Sequence, residues 1–273
     1  MAGKSIQVKK LDRLIKEAKE LYGKDIFEVS SEVYSWGLPM VDSVLGGLPS
    51  HIVELYGAEG GGKTTIGLLA IKSAQERGFP GVFIDAENSF NEAYAKALGV
   101  DTDKLIVIRK NLMEDVLDLT IKFLSLKESG IVVIDSLPSL VPKAVFEDFV
   151  EKEDLNKKHV ANRARLMSEV LGVLVGLCKD SKNTLIIINQ IRDKVGILFG
   201  NPTTTPGGKA LKHFAIQRVE VRPGRQIKKG ADVIGREVYV RAVKNKIAAP
   251  ERKTQLNLHF GVGFIEDIKK EET

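Results

Sequence analysis

The stretch "HIVELYGAEGGGKTTIGLLA", residues 51–70, decides the fold. Its first seven residues predict a strand, and the residues after Thr64 predict a helix. The glycine-rich turn between them has the spacing G-x-x-x-x-G-K-[ST], at Gly57, Gly62, Lys63 and Thr64. Because this turn follows a strand and opens a helix, we interpret it as the phosphate-binding loop of a P-loop NTPase. A glycine-rich turn that carries a lysine by chance is the weaker interpretation.

Each residue type in this loop has a chemical reason to be there. Glycines let the backbone curl so that its N–H groups point at phosphate oxygens, and the helix N-terminus adds its positive end. We expect Lys63 to reach the β- and γ-phosphates and Thr64 to hold Mg²⁺. The residues of the loop expected to bind the nucleotide are Gly57, Glu59, Gly60, Gly61, Gly62, Lys63, Thr64 and Thr65.

The pattern outward from this loop predicts an α/β fold. Strands are predicted at "GVFIDAE", "KLIVIRK", "GIVVID" and "TLIIINQ", and helices at Thr64–Arg77, Asn91–Leu98, Met113–Leu126 and Val160–Lys179. Strands that alternate with helices indicate a mostly parallel sheet covered on both faces. After Lys209 the segments "IQRVEVRP", "REVYVRAVKNK" and "TQLNLHF" alternate like antiparallel strands, and "RPGRQIKKGAD" is interpreted as a turn-rich connection.

Carboxylates follow two of the predicted strands. Asp135 ends "GIVVID" and, together with the phosphate loop, is expected to complete the Mg²⁺ site. Asp85 and Glu87 end "FIDAE", and one or both could reach the γ-phosphate, because residues i and i+2 of a strand face the same way. We favour Glu87 as the catalytic carboxylate, since catalytic groups of α/β proteins lie at the carboxyl ends of strands.

The segment "NQIRDKVGILFGNPTTTPGGK", residues 189–209, is too long for an ordinary connection. Gln190 ends a strand, so its amide could bind the γ-phosphate of ATP and release it after hydrolysis. The following loop would then be ordered and released with it. Its basic and glycine residues suit contact with a nucleic-acid backbone. A second basic group contains Lys157, Lys158, Arg163 and Arg165, although single charges are more often solvated surface.

Composition sets broader limits. A chain of 273 residues with 43% hydrophobic and 28% charged residues fits one large α/β domain or two small ones. The net charge of +5 is compatible with a nucleic-acid partner. No apolar run approaches a membrane span, no signal peptide is visible, and the single Cys178 forms no internal disulfide, so we expect a cytoplasmic protein with no membrane partner.

Residues 5–22 have apolar positions at helical spacing, and "DIFEV" follows as a short extended piece. A helix with one apolar stripe must bury it, either on its own domain or on a neighbouring subunit.

Five segments of the sequence together resemble the bacterial RecA recombinase family. They are "GAEGGGKTT", "FIDAEN", "VIDSLPSLVPKA", "INQIRDKVGILFGNPTTTPGGKALK" and "VKNKIAAP". The resemblance extends from about Trp36 to Ile265. It implies an ATP- and Mg²⁺-dependent, DNA-dependent ATPase that forms filaments on single-stranded DNA, pairs it with homologous duplex DNA and exchanges strands. It also implies that residues 1–35 are a subunit-docking segment, 36–268 the ATPase core and 269–273 a tail.

The resemblance carries roles to individual positions. It implies that Lys63 and Thr64 hold the phosphates and metal, with Asp135 at the metal. Glu87 becomes the catalytic carboxylate, Gln190 the γ-phosphate sensor, and Lys244 and Lys246 the lysines that reach ATP on the next subunit. Tyr94 falls at the adenine-stacking position, and Asn91 is expected to bind the nucleotide. The positions in the two DNA loops are Arg163, Arg165, Met167, Ser168, Arg192, Lys194, Val195, Gly196, Thr204, Gly207, Gly208 and Lys209.

The sequence departs from the family at several points. Gly60 and Gly61 stand where bacterial members usually carry serines, Asp193 is acidic, Lys209 replaces a usual Asn and His213 a usual Phe. The chain stops at Thr273, where that family continues into a C-terminal domain, so we expect a phage-encoded or otherwise trimmed homologue. The remaining alternatives are a RecA-like regulator or scaffold that binds DNA without strand exchange and a ring-forming motor. The pattern of residues 189–209 disfavours the motor.

Overall fold

The computed structural model describes residues 33–126, 130–150, 162–193 and 203–265, together with Arg13, Lys16, Glu17, Glu20 and Leu21. The chain divides into two compact units, Met1–Ser31 and Glu32–Thr273. In the first unit the five described residues are helical. Arg13 pairs with Glu17 at 2.8 Å and Lys16 with Glu20 at 4.0 Å, the i,i+4 pairs of an exposed helix face.

The second unit begins with alternating strands and helices and continues into longer strands. Its strands are β1 (Val33–Tyr34), β2 (Leu48–Pro49), β3 (Ile52–Gly57), β4 (Gly81–Asp85), β5 (Leu105–Ile108), β6 (Ile131–Asp135), β7 (Thr184–Gln190), β8 (Arg192–Asp193), β9 (Thr203–Thr204), β10 (Gln217–Lys229), β11 (Asp232–Asn245), β12 (Lys253–His259) and β13 (Gly263–Ile265). Its helices are α1 (Pro39–Leu45), α2 (Lys63–Glu76), α3 (Glu92–Ala97), α4 (Met113–Ser125), α5 (Lys143–Val150), α6 (Asn162–Ser181) and α7 (Gly208–Phe214), with a 3₁₀ turn at Leu137–Ser139.

A nine-stranded sheet forms the centre of this described unit, in the order β13-β12-β11-β10-β3-β7-β6-β4-β5. The strands from β10 to β5 in that order are parallel, and β11, β12 and β13 continue the sheet in antiparallel pairing. The predicted fold class, a mostly parallel sheet with a C-terminal antiparallel extension, is confirmed. The carboxyl ends of β3, β4, β6 and β7 share one edge of the sheet, where α/β proteins bind ligands.

The sheet is buried on both faces by two apolar clusters. Val53 and Leu55 of β3 belong to one cluster, whereas Ile52, their neighbour on the same strand, belongs to the other. Trp36 is fully buried in the first cluster, and its indole N–H donates to the Gly47 carbonyl at 3.2 Å. Burial on both faces explains why the central strands are almost uniformly apolar.

The segment predicted as a turn-rich connection, "RPGRQIKKGAD", is mostly strand. β10 and β11 form one long hairpin that pairs as far as Lys229 with Asp232, so the turn is confined to Gly230 and Ala231. The register shifts between Pro223 and Gln226. A bulge there accommodates a proline and a glycine within a hairpin, which is why these residues did not end the strand.

Three described helices were not predicted from sequence: α1, α5 and α7. Helix α6 was predicted at Val160–Lys179 and is observed at Asn162–Ser181, while residues 151–161 lie outside the described part. None of the helices in the described ranges is both long and apolar enough to span a membrane.

Candidate functional site

The glycine-rich loop connects β3 to α2 at the carboxyl edge of the sheet. Gly62 directly precedes α2 with φ of +86°, a left-handed conformation that strongly favours glycine. The loop therefore ends where the N–H groups of the first helical turn lack backbone partners. Such a turn can bind an anion, as its sequence predicts.

Lys63 lies over this loop. Its Nζ donates to the Ala58 carbonyl at 2.7 Å and to the Gly57 carbonyl at 3.2 Å. Burial lowers the pKa of Lys63, and the charge of Asp135 is the largest opposing influence. The ammonium is thus already within the loop and would exchange its carbonyl partners for phosphate oxygens.

Thr64 and Asp135 meet beside the loop, as the motif predicts. The Thr64 hydroxyl donates to Oδ2 of Asp135 at 2.6 Å, and Asp135 is 3% exposed. Burial raises the pKa of Asp135 to about 6, against the opposing hydrogen bond from Thr64. A hydroxyl and a carboxylate side by side are the hard oxygen donors that Mg²⁺ takes together with nucleotide phosphates. These residues therefore fit a magnesium nucleotide.

Glu87 is exposed and accepts hydrogen bonds from the Ser136 hydroxyl, from the Ser139 hydroxyl at 3.4 Å and from Nε2 of Gln190 at 3.3 Å. Asp85, in contrast, is fully buried and accepts from the backbone N–H groups of Ser89 and Phe90, each at 3.0 Å. Asp85 therefore holds the following loop, although strand alternation suggested that both carboxylates could face the phosphates.

Gln190 ends β7 directly before the loop at 191–206, and its neighbour Asn189 fixes the base of that loop. The buried Asn189 amide donates to Glu54 Oε1 and to the Pro206 carbonyl, both at 2.9 Å. Arg218 pairs with the other oxygen of the fully buried Glu54. Our sequence interpretation did not include Glu54 and Arg218. A charged residue in the middle of the apolar strand "HIVELYG" was the signal, because a buried charge requires a partner.

A cavity lies between the start of α3 and the end of β12. Asn91 caps α3 by accepting from the Tyr94 N–H at 2.9 Å, and the Tyr94 hydroxyl lies 2.9 Å from that of Thr65. The cavity is lined by Asn91, Ala93, Tyr94, Leu258, His259, Phe260 and Gly261. Tyr94 is predicted to stack on the adenine and Asn91 to bind the nucleotide. The wall contributed by β12 and the following turn was not predicted, because it is remote in sequence.

Lys244 and Lys246 lie away from the phosphate loop of their own chain. Lys244 Nζ donates to the carbonyls of Lys212 and His213, at 2.9 and 2.8 Å, at the C-terminal end of α7. Within the described residues, no hydrogen bond or ion pair joins either lysine to residues 57–65. In the sheet Lys244 lies opposite Arg218, which lies opposite Glu54 of β3, whereas the loop begins at Gly57 at the carboxyl end of that strand.

The residues predicted for the first DNA loop occupy different environments at the start of α6. The Arg163 guanidinium donates to the Leu140 carbonyl at 2.7 and 3.1 Å, and Met167 is 1% exposed in the core. Arg165 is exposed beside Glu169, and exposed Ser168 donates to the Ala164 carbonyl. Of these four residues, Arg165 and Ser168 are exposed, Arg163 is half-buried and Met167 is buried.

The second DNA loop is described at its two ends. β8 and β9 pair Arg192 with Thr204, and Gly207 precedes α7, which begins at Gly208 and carries the exposed Lys209. Lys194, Val195 and Gly196 lie outside the described residues. The described ends place this loop directly after Gln190.

Comparison with known proteins agrees with this architecture. The family model for the RecA N-terminal domain matches residues 9–265. The chain belongs to the RecA family. The RecA protein of Lactobacillus acidophilus is 44% identical over 221 residues, which is 81% of this chain and 60% of that protein. The RecA proteins of Levilactobacillus brevis and Staphylococcus epidermidis are each 41% identical, over 93% and 94% of this chain and 69% and 75% of their own lengths.

The predicted RecA resemblance is thereby confirmed. The chain spans about 60% of the length of the Lactobacillus relatives it matches. The phosphate loop, Asp85, Glu87, Asp135 and the residues around Gln190 all lie within the stretch matched by the RecA family model.

Proposed function

We propose that this chain is an ATP-dependent DNA recombinase that assembles on single-stranded DNA and promotes homologous pairing and strand exchange. RecA family membership supports the class of activity. The hydrogen bond between Gln190 and Glu87 is the observation that supports coupling between ATP hydrolysis and DNA binding. It joins the predicted catalytic carboxylate to the residue from which the predicted DNA loop begins.

The site residues divide the work of phosphoryl transfer. Lys63 and the N–H groups at the start of α2 would bind the phosphates, and Thr64 and Asp135 would hold Mg²⁺, which neutralises phosphate charge when bound. Glu87 would orient or activate the attacking water from its position beside Ser136. The cavity next to Tyr94 would hold the adenine.

The same contact suggests how nucleotide state reaches DNA. The Gln190 amide donates to Glu87. A γ-phosphate would offer stronger, charged acceptors for the same amide. Moving Gln190 from Glu87 to the phosphate would shift the first residues of the loop, while Asn189 holds its base through Glu54 and Pro206.

Strand exchange tests the proposed function most directly. The full chain should transfer a strand from a homologous duplex to single-stranded DNA in the presence of ATP and Mg²⁺, and should not do so with a heterologous duplex. DNA binding should also weaken steeply with salt, because phosphate neutralisation releases counterions. ATP-dependent DNA binding without strand exchange would instead identify a regulator or scaffold.

Gln190→Ala should retain ATP binding but separate it from tight DNA binding, because the amide that senses the phosphate is removed. Affinity for a fluorescent single-stranded oligonucleotide, measured with ADP and with a non-hydrolysable ATP analogue, should differ by less than about twofold in the variant. The wild type should show at least about a tenfold difference, equivalent to about 1.4 kcal/mol.

Gln255→Ala is the matched control, because Gln255 is an exposed amide on β12. It should retain the wild-type response to ATP. If Gln190→Ala responds to ATP as fully as the wild type does, Gln190 does not transmit the nucleotide state.

A further inference from the structure

Arg236 occupies an unusual position for a cation. It lies on β11 in alternation with Val238 and Val240, both fully buried, so its side chain starts on the apolar face of the sheet. Its Nε is buried and has no hydrogen-bond acceptor, and in the described ranges Arg236 takes part in no ion pair. Arg236 is half-buried as a residue, but its Nε is buried, and buried N–H donors are ordinarily paired, so this donor lacks an acceptor among the described residues.

The guanidinium lies between two parts of the candidate nucleotide site. On one side, a Cβ atom added to Gly60 in the phosphate loop would be 3.3 Å from Nη1 of Arg236. On the other side, Cζ of Arg236 is 5.7 Å from the centre of the Phe260 ring. Leu258, which pairs across the strands with Arg236, and Phe260 both line the cavity beside Tyr94.

Gly60 and Arg236 also fit one another sterically. Gly60 has φ of +66°, and a side chain there would extend toward the guanidinium. The absence of a side chain at position 60 leaves the space in which Arg236 approaches the loop backbone. The cation therefore lies against the phosphate loop at Gly60.

The electrostatics indicate what the missing acceptor is. The loop carries the Lys63 ammonium and the positive end of α2, and the carboxylates of Asp135, Glu87 and Glu59 act on Lys63. Within the described residues none of these carboxylates accepts from the buried Nε of Arg236, so an anion held by the loop could be its partner. A phosphate chain supplies that anion, and a guanidinium matches phosphate oxygens with two parallel hydrogen bonds.

We propose that Arg236 is a further ligand of the nucleotide, contributed by the same subunit, and that it binds the phosphate chain and not the base. This inference rests on the proposed nucleotide site. It adds a residue to that site which neither the phosphate-loop motif nor the resemblance assigns. Arg236 would contact the phosphates only when nucleotide is bound.

The test compares equilibrium binding of three probes to the full chain without DNA: a non-hydrolysable ATP analogue with Mg²⁺, inorganic tripolyphosphate with Mg²⁺, and adenosine. Arg236→Gln should lower the affinity for the analogue and for tripolyphosphate by about tenfold each, because one charge-assisted contact is lost. Adenosine binding should stay within about twofold of the wild type, since the base site is intact.

Two further variants sharpen the result. Arg252→Gln, at an exposed arginine before β12, makes the same change of charge and should bind all three probes as the wild type does. Arg236→Lys retains the positive charge but lacks the paired N–H donors of a guanidinium, so its affinity for the analogue should fall about threefold. Thermal unfolding of each variant establishes folding. If Arg236→Gln does not fold, the comparison of Arg236→Lys with the wild type decides, and equal affinities there overturn the inference.

The outcomes are separable. If the wild type fails to bind the ATP analogue, the proposed function itself is wrong. If the wild type binds it and Arg236→Gln binds it equally well, only the inference fails. A loss confined to the analogue and adenosine, with tripolyphosphate unchanged, would place Arg236 at the base and would also overturn the proposal.

Discussion

Lys63→Ala is expected to reduce DNA-dependent ATP turnover by about 10³-fold, equivalent to about 4 kcal/mol of activation free energy. Lys63 is the ammonium within the phosphate loop, held by the carbonyls of Gly57 and Ala58. Removing it takes away the cation that would stabilise charge on the transferring phosphoryl group. Phosphate release, measured with saturating single-stranded DNA, is the direct assay.

Lys72→Ala provides the control on the same helix. Lys72 also lies on α2, but its ammonium pairs with Glu76 at 2.6 Å on the outer face. This variant should keep turnover close to that of the wild type. Turnover of Lys63→Ala within about twofold of the wild type would mean under 1 kcal/mol of barrier, too little for a phosphate-binding lysine.

The second large effect concerns Lys244 and Lys246. The variant Lys244→Ala/Lys246→Ala should lose about 10²-fold in turnover, because these ammonium groups would neutralise γ-phosphate charge on the adjacent subunit. In the single chain Lys244 instead donates to the carbonyls that end α7, and burial lowers its pKa. Assembly would therefore offer this lysine an anionic partner in place of two carbonyls.

Mixing two defective proteins distinguishes a shared site from a site within one chain. One protein carries Lys63→Ala and keeps Lys244 and Lys246. The other keeps Lys63 and carries Lys244→Ala/Lys246→Ala. In a randomly mixed filament, about one quarter of the interfaces would join an intact loop to an intact lysine pair, because the contact is head-to-tail. Turnover should reappear to about that extent. No recovery at any ratio, with fluorescence energy transfer showing mixed filaments, would contradict the shared site.

Lys104→Ala/Lys122→Ala is the charge-matched control for this experiment. Both lysines are exposed and pair with nearby carboxylates, Asp101 and Asp118. This control should retain wild-type turnover and assembly. Thermal unfolding of the Lys244→Ala/Lys246→Ala variant measures separately how far the lost contacts with α7 destabilise the chain.

The sequence by itself determined the fold class and the phosphate side of the site. The spacing Gly57-x₄-Gly62-Lys63-Thr64 lies within one strand–turn–helix unit, so a local pattern specifies its geometry. The proximity of Asp135, Glu87 and Gln190 could be predicted because each lies at or directly after the end of an apolar strand. In a parallel sheet such ends meet at one edge, whatever the order of the strands.

Only the tertiary structure decided which distant residues complete the site. β10 pairs with β3, and the hairpin with β11 then brings β12 and Arg236 next to the loop at Gly60. The same topology places Lys244 in hydrogen-bond contact with α7. It also brings Asn189 and Arg218 to the same carboxylate, that of Glu54. Hydrophobic periodicity gives the face of a strand but not its neighbour. These contacts therefore follow from strand order and pairing, which long-range packing selects.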